Sequence, residues 1–172
     1  MKLLICDKDG TLVRTKSGQT FVQHPEDQEL IEGVADAIAR YVANGWAIAI
    51  ASNQGGVAAG FKTLEDAIKE TRYALKLTGI ITAAIAHSDE KQGYGECVWL
   101  TSHYYETVTH TQLLFRKPNS GMIDLLATNP YGNTLWRGDV EVLFVGDRPE
   151  DQGAAANAKV DFMWADEWRN VN

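Results

Sequence analysis

Three short apolar runs, Lys2 to Cys6, Trp46 to Ala51 and Val140 to Val145, each break off into polar or glycine-bearing turn residues. Runs of this length, rich in β-favouring side chains and bounded by turn signals, read as strands buried within a sheet. Between the first two, Leu30, Val34, Ile38 and Tyr41 recur at helical spacing, and Asn44-Gly45 supplies the stop. A second helical pattern covers Thr63 to Leu77 through Leu64, Ala67, Ile68 and Leu75, and Ile80 to Ala86 reads as another strand. A further unit runs from Pro118 through a helix at Ser120 to Ala127. Alternation of this kind predicts an α/β fold: a Rossmann-like, mostly parallel sheet flanked by helices on both faces, with ligands gathering beyond the carboxyl ends of the strands.

Residues 87 to 115 fit the alternation poorly and are expected to form an irregular insert, with a possible strand at Cys97 to Thr101. The chain has 172 residues, 45% hydrophobic and 23% charged, which predicts a single domain spanning 1–172 with its own core. The opening apolar run meets Asp7 too soon to be a signal peptide, and no run is long enough to span a membrane, so a cytoplasmic setting is expected. Cys6 and Cys97 are read as ordinary thiols in a reducing compartment. A net charge of −7 argues against broad attraction to nucleic acid while leaving room for a local basic groove.

Asp7-Lys8-Asp9-Gly10-Thr11-Leu12 ends the first strand directly. Carboxylates two apart on extended backbone can face one pocket, where they repel unless a cation joins them. Magnesium meets that need, because it takes oxygen ligands and bridges carboxylates to a phosphate. An aspartate with an ordinary pKa of about 3.9 is ionised at neutral pH and can attack phosphorus unaided, so Asp7 is the candidate nucleophile. Asp9 is then the candidate general acid and base. The plainer use of the pair is a turn and a helix cap.

The second strand ends in Ser52-Asn53-Gln54-Gly55-Gly56, whose hydroxyl and main-chain N–H groups could hold phosphate oxygens or could simply cap a helix. Arg116-Lys117-Pro118 offers a lysine to offset charge on a transferred phosphoryl group, or a solvated cation. The last strand ends in Gly146-Asp147-Arg148-Pro149-Glu150-Asp151, with Asp147 as a third metal ligand and Asp151 as a group orienting a metal-bound water or Lys117. Each motif is ambiguous alone, but all fall at or beside predicted strand ends in the order Asp, Ser, Lys, Asp.

In this order the motifs resemble those of the haloacid dehalogenase superfamily. Ser52 through Gly60, Arg116-Lys117-Pro118 and Gly121-Met122 are similar to the histidinol-phosphate and heptose-bisphosphate phosphatases and to polynucleotide 3′-phosphatase domains. The resemblance implies a Mg2+-dependent phosphomonoester hydrolase working through an aspartyl-phosphate on Asp7. It makes Asp7, Asp9 (through its main-chain carbonyl) and Asp147 the metal ligands, and Asp9 the acid/base. Ser52, Asn53 and Lys117 would bind phosphate, Arg116 would reach the substrate, and Thr11, Gln54 and Asp151 would support them. The implied substrate is a small phosphate ester, with a nucleic-acid 3′ end as the alternative.

Many sugar-phosphate members carry a zinc loop before the Arg-Lys-Pro motif, but His87, Cys97, His103 and His110 lack close ligand spacing, so no structural zinc is expected. The histidines are read as surface or substrate-facing groups. The interval from Ser52 to Lys117 is too short for a large cap domain, which predicts an open site. Tyr94, Trp99, Tyr104 and Tyr105 are expected to pack the insert down, and Arg14 to Gln19 to form a flap over the site.

Three rival readings come from other classes. A receiver-like phosphoacceptor module would carry its reactive acid on a later strand, where this chain has Ser52. A nucleotide-binding loop at Gly55 to Thr63 has Phe61 where its lysine belongs, and one extra residue turns Lys62 by roughly 100° away from a cradled phosphate. A non-catalytic scaffold is disfavoured by intact acids at 7, 9 and 147.

Overall fold

The computed structural model describes residues 1–91, 93–128 and 139–170. Its centre is a seven-stranded sheet built from β1 (Lys2–Cys6), β4 (Trp46–Asn53), β5 (Thr82–Ala86), β6 (Gly95–Thr101), β7 (Tyr105–His110), β8 (Glu141–Gly146) and β9 (Asp161–Trp164). The order across the sheet is β7-β6-β5-β4-β1-β8-β9. The pairs β1/β4, β1/β8, β4/β5 and β8/β9 are parallel, whereas β5/β6 and β6/β7 are antiparallel. The expected mostly parallel α/β sheet is therefore the one found.

Strand β1 shows why the apolar runs were legible. Its alternate residues enter two separate cores, Leu4 and Cys6 on one face and Leu3 and Ile5 on the other. On the first face lie α1 (Val34–Ala43), α3 (Leu64–Thr78) and α6 (Ala165–Asn170), contributing Val34, Ala37, Ile68, Leu75 and Trp168, and the single-turn α2 (Gly55–Ala58) follows β4. On the second lie α4 (Gly121–Thr128) and α5 (Pro149–Ala158), through Met122, Ile123, Leu126, Ala154 and Ala155. A strand covered on both faces has no polar side, so it reads as a continuous apolar run.

Several expectations are corrected. Leu30 does not begin a helix: β3 (Glu29–Leu30) pairs antiparallel with β2 (Val13–Arg14), and Leu30 lies opposite Val13. Gly33, at φ 84, turns the chain before α1 starts at Val34. The strand expected from Ile80 starts at Thr82, because Gly79 at φ 72 closes α3 and the next residues bridge to the sheet.

The insert at 87–115 is regular in large part, since β6 and β7 form a hairpin that extends the sheet in its own plane. Of the four aromatics expected to pack it down, Trp99 is buried, while Tyr94, Tyr104 and Tyr105 are exposed. His87, read as a surface or substrate-facing group, is buried, with Nε2 3.2 Å from Glu96. The flap expected from Arg14 to Gln19 is tied down: Arg14 is in the β2 ladder, and the Ser17 N–H and hydroxyl both donate to the buried Asp27. Both cysteines are buried and unpaired. Among the described residues no helix is long and apolar enough to cross a membrane.

Candidate active site

Register assembles the site. Cys6 is the partner of Ile50 on one side and of Val145 on the other, so the chain segments that follow all three leave the sheet at one level. Asp7 is the first residue beyond β1, and its N–H donates to Val145 at 2.8 Å. Ser52 and Asp147 lie two residues past the aligned positions on β4 and β8.

The loop after β1 closes through Gly10, whose N–H donates to the Val13 carbonyl at 2.9 Å. Gly10 has φ +87, and a Cβ there would run into the Asp147 carboxylate. Two independent constraints therefore require glycine. Gly10→Ala is expected to cost about 1–3 kcal/mol of stability and to displace Asp147, lowering activity; thermal melting and a phosphatase assay on one preparation check both effects. Gly146 stands in the same relation to Asp151, whose carboxyl occupies the space a Cβ would take.

Lys117 is the electrostatic centre of the site. Only 5% exposed, its ammonium donates to Asp7 Oδ1 at 2.5 Å, pairs with Asp151 Oδ1 at 2.6 Å and donates to the Ala51 carbonyl at 3.0 Å. Its main chain is fixed by a reciprocal pair with Asn53, whose Oδ1 accepts from the Lys117 N–H at 2.9 Å and whose Nδ2 donates to the Lys117 carbonyl at 3.0 Å. Both side-chain amide atoms of Asn53, a residue expected to bind phosphate, are thus engaged in locking Lys117 to the end of β4. Glu90 supports the same segment, accepting from the main-chain N–H groups of Phe115 and Arg116. The Arg116 guanidinium lies against Gly55, and its buried Nη1 has no hydrogen-bond partner among the described residues. An unpaired buried donor beside the Ser52 loop is suited to receiving a substrate oxygen.

Asp151 is fully engaged. Its Oδ2 accepts from the Asp147 and Arg148 N–H groups at 3.1 and 3.0 Å, while Oδ1 holds Lys117. Asp7, Asp147 and Asp151 each offer an oxygen, all within 4.8 Å of one another. Three clustered carboxylates against one lysine leave excess negative charge, and its effect is visible in the acids. Burial pushes Asp7 up to about 6 against the opposing pull of Lys117, with Asp151 and Asp9 adding to the rise. Burial, then Asp151, raises Asp147 as well. This all-oxygen, over-acidic set fits a hard divalent cation such as Mg2+. With Asp151 committed to Lys117 and two main-chain donors, Asp7 and Asp147 are the side chains left to hold it. Asp7 remains mostly ionised at neutral pH, though by a narrower margin than its sequence alone suggests.

Asp9 points elsewhere. Its Oδ1 accepts from Lys8 Nζ at 2.7 Å and its Oδ2 from Gln54 Nε2 at 3.4 Å, while Gln54 also donates to Ser52 Oγ at 2.9 Å. Burial alone would raise Asp9, but Lys8, with help from Lys62 and Gln54, outweighs it and the net shift is downward. Thr11 Oγ1 reaches Asp147 at 3.4 Å. The structure thus brings together Asp7, Asp9, Thr11, Ser52, Gln54, Lys117, Asp147 and Asp151. Sequence reasoning missed Lys8, Lys62, Glu90 and Arg169. The last donates from α6 to the carbonyls of Gly10 and Thr11 at 3.1 and 2.7 Å.

Comparison with known proteins bears on this geometry. The family model described as polynucleotide kinase 3 phosphatase matches residues 2–170. A D-glycero-beta-D-manno-heptose-1,7-bisphosphate 7-phosphatase from Pseudomonas putida is 39% identical over 64 residues, 37% of this chain and 35% of that protein. The matched segment thus spans about a third of that relative. A D-glycero-alpha-D-manno-heptose-1,7-bisphosphate 7-phosphatase from Campylobacter jejuni is 27% identical over 162 residues, 92% of this chain and 78% of its own length. Among solved structures, the D,D-heptose 1,7-bisphosphate phosphatase from B. bronchiseptica complexed with magnesium and phosphate superposes with a TM-score of 0.63 at 25% identity, over 94% of this chain and 79% of that one. The match along nearly the whole chain agrees with the motif order and the sheet: this protein belongs to the polynucleotide kinase 3 phosphatase family, within the haloacid dehalogenase-type phosphatases.

Proposed function

We propose that the protein is a Mg2+-dependent phosphomonoester hydrolase whose substrate is a small phosphorylated metabolite of the sugar-phosphate type. The observation that carries this reading is the buried Lys117 held between Asp7 and Asp151 beside Asp147, at the aligned ends of β1 and β8. The heptose-bisphosphate phosphatases named above supply the substrate class.

Bound Mg2+ would be held by Asp7 and Asp147 together with the Asp9 main-chain carbonyl, and would neutralise charge between the carboxylates and the phosphate dianion. The Asp7 carboxylate attacks phosphorus, a bond forms between its oxygen and phosphorus, and the bond to the leaving alkoxide breaks. Asp9 gives its proton to that alkoxide. It then takes one from the water that cleaves the aspartyl-phosphate, releasing inorganic phosphate and regenerating Asp7. Lys117 and Ser52 hold the phosphoryl oxygens, and Arg116 turns its free donor to the substrate. Asp9 must carry a proton when the alkoxide departs, although Lys8 favours its ionised form. The arriving phosphate dianion offsets the neighbouring cations and raises Asp9 at the moment the proton is needed.

A 3′-phosphorylated nucleic-acid end is the second reading, favoured by the family model and by the exposed Tyr94, Tyr104 and Tyr105. A panel of heptose bisphosphate, histidinol phosphate, nucleotides and 3′-phosphorylated DNA, assayed for phosphate release with Mg2+ and with chelator, separates the two. The expected result is chelator-sensitive release with sugar phosphates preferred. Preference for DNA would replace the substrate assignment, and release unaffected by chelator would overturn the metal requirement. Two buried, unpaired cysteines suit a reducing compartment, so a cytoplasmic setting belongs to the same reading.

A further inference from the structure

Asp9 sits in a closed hydrogen-bonded ring that the four sequence motifs do not account for. Lys8 is fully buried, and its ammonium bonds to Asp9 Oδ1 at 2.7 Å and Gln28 Oε1 at 3.1 Å. Gln28, also fully buried, donates from Nε2 to the Glu70 main-chain carbonyl at 3.0 Å and to that of Pro25 at 2.8 Å. The Glu70 side chain, 5% exposed, pairs with Lys62 Nζ at 2.5 Å. Lys62 reaches Gln54 Oε1 at 3.5 Å, and Gln54 closes the ring on Asp9 Oδ2 at 3.4 Å. The ring joins the loop after β1, the segment entering β3, the helix α3 and the loop after β4.

We infer that Lys8 and Lys62, braced by Gln28 and Glu70, are positioning residues that hold the Asp9 carboxyl in place to deliver its proton to the leaving group. The inference rests on the acid/base role of Asp9 given above.

Among the described residues the ion pair of Lys8 is with Asp9, so turning Asp9 away would leave a fully buried ammonium without its counter-charge. Such a loss is expensive enough to restrict the carboxylate to one orientation. The opposite oxygen is held from the other side through Gln54, whose carbonyl in turn meets Lys62. Asp9 therefore keeps 45% of its side chain exposed while each of its oxygens has its own partner, Lys8 for one and Gln54 for the other. Misplacing a reacting group by about 1 Å costs roughly a hundredfold in rate, which is the scale of effect open to such a brace.

The test is dependence on the leaving group. A primary alkyl phosphate departs as a basic alkoxide that needs a proton, whereas a nitrophenyl phosphate departs as a stabilised phenolate that does not. kcat/KM covers steps up to phosphoryl transfer onto Asp7, so the change that a substitution makes in the ratio of kcat/KM for the two substrates reads the proton delivery. Gln28→Leu and Lys62→Met are each expected to lower this alkyl-to-aryl ratio about tenfold or more while changing the aryl value little, and Lys62→Arg to restore part of the loss. Lys62 is partly exposed, so its variant remains readable if Gln28→Leu does not fold. An equal fall on both substrates, or no fall, in the folded variants would overturn the inference. Asp9→Asn in the same assay separates the two levels: if it lowers the ratio and the brace variants do not, only the brace is wrong. If it leaves the ratio unchanged, the acid/base reading fails and the brace falls with it.

Discussion

Replacing Asp7 with asparagine is expected to abolish phosphate release, by about a thousandfold or more, while making the metal-free protein more stable. The first effect follows from removing the attacking oxygen, with the scale known for loss of a nucleophile. The second follows from the charge balance around Lys117. Burial and neighbouring acids lift Asp7 from 3.8 to about 6, so its folded state binds protons more tightly than the unfolded chain. A carboxyl shifted in that direction contributes stability that is lost as pH rises from about 4 through 6. At neutral pH the ionised Asp7 therefore costs the metal-free fold about 3 kcal/mol, which a neutral asparagine removes, while Lys117 keeps its pair with Asp151. Melting curves of the two proteins in chelator should separate at pH 7.5, with the variant higher, and converge near pH 4. A variant less stable at pH 7.5, or full activity in it, contradicts the roles given to Asp7.

Lys117→Met is expected to do the reverse to stability. The substitution keeps most of the side-chain volume but leaves Asp7 and Asp151 buried without the cation they share, a loss of about 3–5 kcal/mol. For a chain of this length that corresponds to a fall in the melting midpoint on the order of 10 °C. Because the excess charge is what falls unopposed, added Mg2+ should recover more stability in this variant than in the unaltered protein. Activity should be lost in both conditions, since the phosphoryl oxygens have no replacement for the ammonium. An unchanged midpoint would mean that Asp7 and Asp151 are not charged together in the folded state.

The contrast between these two residues also indicates what a sequence can disclose. Strands β1, β4 and β8 are covered on both faces, so they stand out as apolar runs, and the polar residues ending them mark Asp7, Ser52 and Asp147. Strand β7, by contrast, carries Tyr105, Glu106, Thr107, Thr109 and His110, all exposed, and shows no alternation for a pattern to catch. Leu30 and Val34 are four apart as in a helix, yet pairing of Leu30 with Val13 and the turn at Gly33 decide otherwise. Within the site, residues were legible where they follow a strand directly. Lys8 reads as a spacer between two acids because its partner Gln28 lies 20 residues on, and Arg169 is invisible because it reaches the first motif from the far end of the chain. Asn53 shows how neighbours in sequence can hide a structural duty. Its position beside Ser52 suggests phosphate, whereas its amide geometry serves the Lys117 main chain.

The central place of β1 also bears on the order in which the protein is made. Strand β1 precedes both of its neighbours in the sheet and pairs with β4, 44 residues on, and with β8, 139 residues on. Asp7 cannot meet Lys117 and Asp151 until the residues from 117 to 151 have left the ribosome, and pairing over such separations is slow to form. Until then Leu3 and Ile5 lack the far side of their core, which leaves a nascent chain with an exposed apolar strand and no phosphatase activity. Activity of a ribosome-bound chain would consequently serve as a sharp reporter that the β1–β8 ladder has closed.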